Sequence, residues 1–294
     1  MDIGMNLPVM APGLDRPLLL EWARRIDAGP FSTLAAGERV NFPNPDIMVA
    51  LSAAAAVTTR VRIMTNVVVL PMHAEVHVAK QLATLDVLSG GRVVAGVGIG
   101  AREEDYAAHR VPFAPARMRR LEAQVRVMRR VWAGDIVVPG AGRPVEPFPL
   151  QPDGPPVLSG SLTAPAIRRA ARFADGIAGF AFGPDPVEIA MAFDAARDAW
   201  QKAGRSAPPR LVTGCWFALG PRAREQLDEY LRRYLAFLGP GAATGVLPLV
   251  RSTSAAALRQ VVREVAHAGG DELCLVPTTT DLDELDRVAD AIGP

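Results

Sequence analysis

The chain has 294 residues, 49% apolar and 21% charged, with 32 basic against 31 acidic side chains and a net charge of +1. That length and composition suit one globular domain with a large core. The balanced charge offers no electrostatic attraction to nucleic acid or to an anionic membrane, so neither is an expected partner. The opening MDIGMNLPVMAPGLD has no basic segment and no apolar stretch of signal-peptide or membrane-span length, which points to a cytoplasmic protein. Cys215 and Cys274 sit in apolar, strand-like runs and are read as small buried hydrophobes rather than a disulfide.

Strand and helix signals alternate along the chain. Strands are expected at 2–7 and 31–36, followed by a helix at 46–59 entered after Pro43-Asn44-Pro45. Ala50 and the alanines at 53–56 give that helix a small-residue face on which a second copy could pack, so a homodimer is expected. A strand at 62–70 leads to a helix at 73–88, stopped by Ser89-Gly90-Gly91. A strand at 92–98 precedes a helix at 117–132, where Met118, Leu121, Val125, Met128 and Trp132 form one apolar stripe. Residues 134–155, with four glycines and six prolines, read as an extended excursion.

Strands at 156–159, 176–180, 210–219 and 272–276 alternate with helices at 163–173, 185–203, 221–238, 254–268 and 281–292. Residues 239–253 are rich in Gly, Pro and Ala and read as a loop that could cover a site. The strands are apolar throughout rather than alternating, as parallel strands buried on both faces are. Eight such strands with intervening helices predict a single α/β domain over 1–294, a (β/α)8 TIM barrel with insertion loops.

In such a barrel the chemistry lies at the C-terminal strand ends. That rule selects Asn6 and Pro8, then Gly37, Glu38 and Arg39. It also selects the Thr65-Asn66-Val67-Val68 run with Pro71-Met72-His73, then Gly98-Ile99-Gly100 and residues 159–163. Gly96-Val97-Gly98-Ile99-Gly100 does not fit a dinucleotide fingerprint, because its third glycine comes one position early. Glycines at a strand end would instead let a flat ring lie on the backbone. Ser159, Gly160, Ser161 and Thr163 offer N–H groups and hydroxyls to a phosphate at the start of a helix. His73, His77, His109 and His267 lack carboxylates at ligand spacing, so no metal is expected. No G-x-S-x-G nucleophile turn occurs.

Residues 60–106 carry the strand RVRIMTNVVVLP, the helix AKQLATLDVLSGGR and the strand end GVGIG before REEDY. With RRLEAQVRVMRRVWAG and SGSLTAPAIRRAARFADGIA further on, the chain resembles the luciferase-like flavin and deazaflavin oxidoreductases from end to end. The resemblance implies a flavin-type cofactor whose ring leans on a bulge in the third strand, carrying a cis peptide bond, here Asn66–Val67. It places Gly98 and Gly100 beside the ring, Ser159, Gly160, Ser161 and Thr163 beside the phosphate, and Asn6 and Glu38 near the cofactor. Many relatives end the second strand in an acidic residue followed by histidine, where this chain has Glu38-Arg39. Sugar-phosphate-oxidising relatives carry a glutamate where Ala101 stands and lysines near the phosphates, whereas Lys80 and Lys202 lie away from strand ends; sugar phosphates are not expected substrates.

Three readings follow. A coenzyme F420-dependent oxidoreductase would pass hydride to or from a small organic substrate, a carbonyl, alcohol or enone. Glu38 or Tyr106 would handle a proton, and Arg39 or His73 would stabilise negative charge. The segments AAGERV and LPMHAE resemble that branch. An FMN-dependent monooxygenase activating O2 is the alternative, and a flavin-binding barrel without catalysis the third. Arg102, Glu103, Glu104 and Arg110 read as solvated loop charges.

Overall fold

In the computed structural model, which describes residues 1–239 and 241–293, the strands form one parallel barrel. Pro240, inside the expected cover, and Pro294, the end of the expected domain, lie outside the described residues. The first half comprises β1 (Asp2–Asn6), α1 (Arg16–Ala28), β2 (Thr33–Ala36), α2 (Ile47–Ala55), β3 (Arg62–Thr65), β4 (Val68–Val69), α3 (Glu75–Ser89) and β5 (Val93–Gly98). Then come α4 (Glu103–Ala108), α5 (Arg117–Trp132), β6 (Val157–Ser159), α6 (Ala164–Ala170), β7 (Gly176–Ala178), α7 (Pro186–Lys202) and β8 (Arg210–Phe217). The chain closes with α8 (Ala223–Tyr234), α9 (Ala242–Val246), α10 (Ala255–His267), β9 (Glu272–Pro277) and α11 (Asp283–Ile292).

The sheet runs β3-β2-β1-β9-β8-β7-β6-β5-β4 and is closed by a β3–β5 pairing. Strands β3 and β4 are one barrel strand interrupted by the cis Asn66–Val67 bond, so the barrel has the eight strands expected. Ala35, Met64, Val94, Leu158, Ala178, Val212 and Cys274, one each from β2, β3, β5, β6, β7, β8 and β9, form a separate buried cluster that fills the barrel interior. A larger apolar layer lies between strands and helices. Strands buried on both sides have no reason to alternate, which is why their sequences do not. Both cysteines are buried and free.

Helix α1 is absent from the sequence reading. Asp15 caps it by accepting from Leu18 N, and Trp22, Ala23 and Ile26 are its buried residues. In α2, Ala50, Ala54 and Ala55 are buried within the chain, while Ala56 stays exposed. The excursion at 134–155 has no helix or strand, as expected, yet it is pinned: buried Asp86 accepts from the backbone N–H groups of Leu150 (2.8 Å) and Gln151 (3.1 Å). The expected loop at 239–253 is corrected. Its described residues include α9 and a 3-10 turn at Leu247–Leu249, which follow α8 and a 3-10 turn at Ala236–Leu238. The Gly/Pro content misled because short helical turns need little propensity once their apolar residues pack.

Barrel closure depends on close contact at Gly96. A Cβ there would lie 1.9 Å from the Thr65 carbonyl oxygen, and the Thr65 hydroxyl donates to the Gly96 carbonyl at 2.7 Å. Gly96→Ala is expected to lower stability in urea melts by about 3 kcal/mol or to prevent folding. Gly142→Ala, with nothing within 4 Å, should stay within about 0.5 kcal/mol.

Candidate functional site

The C-terminal mouth of the barrel is built around the break between β3 and β4. Asn66 Nδ2 donates to Asn6 Oδ1 at 3.3 Å, and Asn6 Nδ2 donates to the Leu275 carbonyl at 3.2 Å. Both carboxamides line a cavity of about 70 Å³ with Gly37, Trp216, Tyr230 and Tyr234. The glycines at the ends of β5 and β6 make close contact with the broken strand. A Cβ on Gly98 would lie 2.6 Å from Val67 Cγ2, and one on Gly160 would lie 3.2 Å from Val67 Cγ1. Gly100, with φ +61°, receives Val69 in the same way. The glycines thus seat the valines of the broken strand, and half-buried Val67 supplies the surface beside them.

Glu38 follows β2 and is held on both oxygens. It accepts from Val69 N at 2.6 Å and meets His73 Nε2 at 2.8 Å, with its side chain 8% exposed. The His73 ring packs edge-on against His109, with centroids 4.7 Å apart, and the His73 carbonyl accepts from Gln124. The partner of Glu38 is therefore His73, which follows the neighbouring barrel strand. No spacing in the sequence signals that pair, because the two residues meet only through strand pairing.

Tyr106 is placed differently. It is 1% exposed, and its hydroxyl donates to the Ile99 carbonyl at 2.6 Å. Burial pushes the phenol up to about 12, with Arg117 and Arg120 pulling the other way and Glu38 adding to the rise. Within the site, Tyr106 packs with Val69 and Met72 as a wall.

Arg39 is 7% exposed and lies over the Phe42 ring at 4.0 Å. It donates to the Tyr234 carbonyl at 3.2 Å and meets Glu104 at 3.4 Å. Arg102 stacks on Phe237 at 4.4 Å and Tyr234 at 5.1 Å. The expectation that Arg102 is a solvated loop charge is corrected, because its Nε is buried and its guanidinium lies on two rings, whereas Glu104 stays exposed. Helix α8 thereby lies over the mouth, with Trp216 and Tyr234 edge-to-face at 5.6 Å.

At the end of β6, the Ser159 and Ser161 hydroxyls are 2.9 Å apart and both buried, whereas Thr163 is exposed. Beyond them an open cleft of about 720 Å³ is lined by Leu162, Phe182, Leu249 and Arg251. Phe180 borders both the cleft and the mouth cavity. The structure therefore brings together Asn6, Glu38, Asn66, Val67 and His73 at the mouth. Residues 159–163 lie on its β6 side, and Tyr106 lies in the wall behind.

The profile of the luciferase-like monooxygenase family matches residues 9–281. The chain belongs to that family. An uncharacterized protein of Mycobacterium tuberculosis is 35% identical over 175 residues, which cover 57% of this chain and 60% of the relative. The match thus spans about three-fifths of the length of that curated relative. Among solved structures, monooxygenase RslO1 from Streptomyces bottropensis superposes with a TM-score of 0.81 at 22% identity, covering 99% of this chain and 98% of its own. An F420-dependent secondary alcohol dehydrogenase, in complex with an F420-acetone adduct, superposes with a TM-score of 0.80 at 18% identity and the same coverage. The barrel fold is therefore shared with these structures over nearly the whole chain.

Since the Tyr106 hydroxyl is buried and already donates to the Ile99 carbonyl, Tyr106→Phe should leave turnover within about threefold of wild type, far less than loss of a proton donor would cost. Its raised pKa adds a sign. Unfolded tyrosine loses its proton first, so the wild type should lose stability as pH rises from 10.0 through about 12, and the Phe variant less so in alkaline melts.

Proposed function

We propose that the protein is a coenzyme F420-dependent oxidoreductase that moves a hydride between the deazaflavin and a small carbonyl, alcohol or enone. The observation that carries this reading is the Glu38–His73 pair beside the Asn66–Val67 turn, a proton-holding couple at 2.8 Å on the rim of the barrel mouth. The donor set there fits a flat heterocycle with polar edges. Asn6 and Asn66 offer amide donors and acceptors, and Leu7, Val9 and Met10 supply apolar walls. The deazaflavin, when bound, supplies the carbon that gives or takes hydride.

The chain's own residues supply the rest. Val67, seated on Gly98 and Gly160, fixes one face of the seat, while the two asparagines orient what lies on it. Glu38 is fixed by Val69 N–H, so it holds the His73 ring with Nε2 toward it. With Nε2 turned to Glu38, the pair would exchange a proton with a substrate oxygen through Nδ1, the ring nitrogen that Glu38 leaves free. Thr163 and the backbone of residues 159–163 are proposed to meet the cofactor phosphate. Trp216, Tyr230 and Tyr234 crowd the mouth and would keep water from it.

The second reading is an FMN-dependent monooxygenase, favoured by the likeness to RslO1 and by the apolar walls of the mouth. An anaerobic assay of deazaflavin absorbance against secondary alcohols, aldehydes and enones separates the two. Substrate-dependent turnover is expected, with Glu38→Gln and His73→Asn each lowering kcat by about 10²–10⁴-fold and KM changing little. Oxygen consumption with reduced FMN and no deazaflavin turnover would overturn the proposal in favour of the monooxygenase.

A further inference from the structure

Two arginines at the mouth are short of counter-charge. Arg102 makes no hydrogen bond or ion pair within the distance limits among the described residues, and its Nε is buried without a partner. The Arg39 side chain is 4% exposed, and its Nε is likewise buried and unpartnered. Both guanidiniums lie over the same two rings: Tyr234 is 5.5 Å from Arg39 and 5.1 Å from Arg102, and Phe237 is 5.8 Å and 4.4 Å away.

The acidic groups nearby offset them only in part. Glu104, the ion-pair partner of Arg39, is 49% exposed and 3.4 Å away. Buried Asp105 is a second counter-charge to Arg39, although its Oδ1 accepts from the N–H groups of Val40 and Asn41 rather than from either guanidinium. Burial and the neighbouring Arg102 charge both lower the pKa of Arg39, as expected for like charges held together with too few anions. Aromatic faces offset part of that repulsion but accept no N–H bonds of carboxylate strength.

We propose that Arg39 and Arg102 form an oxyanion site that takes the carboxylate or phosphate group of the substrate. The inference rests on the reading of the mouth as the place of reaction. Arg39 lies two residues past Gly37, and Gly37 and Tyr234 both line the mouth cavity, so an anion held there sits beside the seat. A guanidinium suits this task because its planar fork offers parallel N–H donors to two oxygens; Arg102 has its fork free among the described residues, while Arg39, with two nitrogens on Tyr234 and Glu104, adds its Nε and its charge. The substrate class narrows accordingly, to carbonyl, alcohol or enone compounds that also carry an anionic group. Arg39 and Arg102 are specificity residues in this account, acting on KM more than on kcat.

Inorganic phosphate is the probe, titrated into the apo-protein at constant ionic strength and read by tryptophan fluorescence, since Trp216 packs on Tyr234. A saturable millimolar response is expected. It should weaken at least about tenfold in Arg102→Gln and partly in Arg102→Lys, as loss and partial retention of a charged fork predict. Arg117→Gln, whose guanidinium stacks on Phe113 at 3.5 Å, should respond as wild type does. Circular dichroism establishes that the variants fold. Repeating the titration in saturating deazaflavin distinguishes the source of the anion. Retained phosphate binding supports a substrate group, and displacement would assign the site to the cofactor's own phosphate or carboxylates and overturn the substrate assignment. No saturable response, or an equal one in Arg102→Gln, overturns the site altogether, whether or not the deazaflavin itself binds.

Discussion

The barrel closes where the third strand is broken, and that junction fixes the geometry of everything at the mouth. Gly96 brings β5 against the Thr65 carbonyl, and the Thr65 hydroxyl bonds back to Gly96. Two residues on, Val67 rests against Gly98 and Gly160, and Val69 against Gly100. Each glycine removes a methylene that would otherwise push the strands apart, so three side chains of one strand are located by the backbone of its neighbours. Asn66 N–H bonds to the Ala36 carbonyl, and Glu38 N–H reaches the Val67 carbonyl, which ties the end of β2 to the same turn. Glu38 then receives Val69 N–H and His73 because its backbone is already fixed.

The other half of the site is electrostatic and aromatic. Helix α8 brings Tyr230 and Tyr234 over the mouth, where they stack with each other at 5.5 Å and pack edge-on with Trp216. Arg39 and Arg102 meet the end of that helix through the Tyr234 ring, and Arg39 also donates to the Tyr234 carbonyl. The site thus combines a floor located by strand contacts with a helical cover whose Leu227, Tyr230 and Leu231 are buried in the core.

The sequence carried the barrel well and the site only in part. Strands buried on both faces announce themselves as unbroken apolar runs, and the helix at 117–132 has the same bounds in the structure. Helix α1 escaped although Asp15 and Pro17 mark its start, because its buried stripe is only Trp22, Ala23 and Ile26. The strand-end rule selected Asn6, Glu38, Asn66, Val67 and His73, all of which stand at the mouth. What it could not supply was pairing. Glu38 meets His73 through the β2–β3 register, and Arg102 meets Tyr234 and Phe237 across more than a hundred residues of chain. Tyr106 shows the opposite failure. Its position in sequence suggested chemistry, but packing against Val69 and Met72 buried it with its hydroxyl satisfied.

The central claim is that the floor formed by Asn6, Asn66 and Val67 seats a deazaflavin ring under Trp216. A fluorescence titration of the apo-protein with coenzyme F420, run in parallel with FMN, tests it most directly. The account predicts micromolar or tighter binding of the deazaflavin with quenching of tryptophan emission, and weaker binding of FMN. A tighter response to FMN would contradict the choice of cofactor, and no saturable response to either would contradict the seat itself.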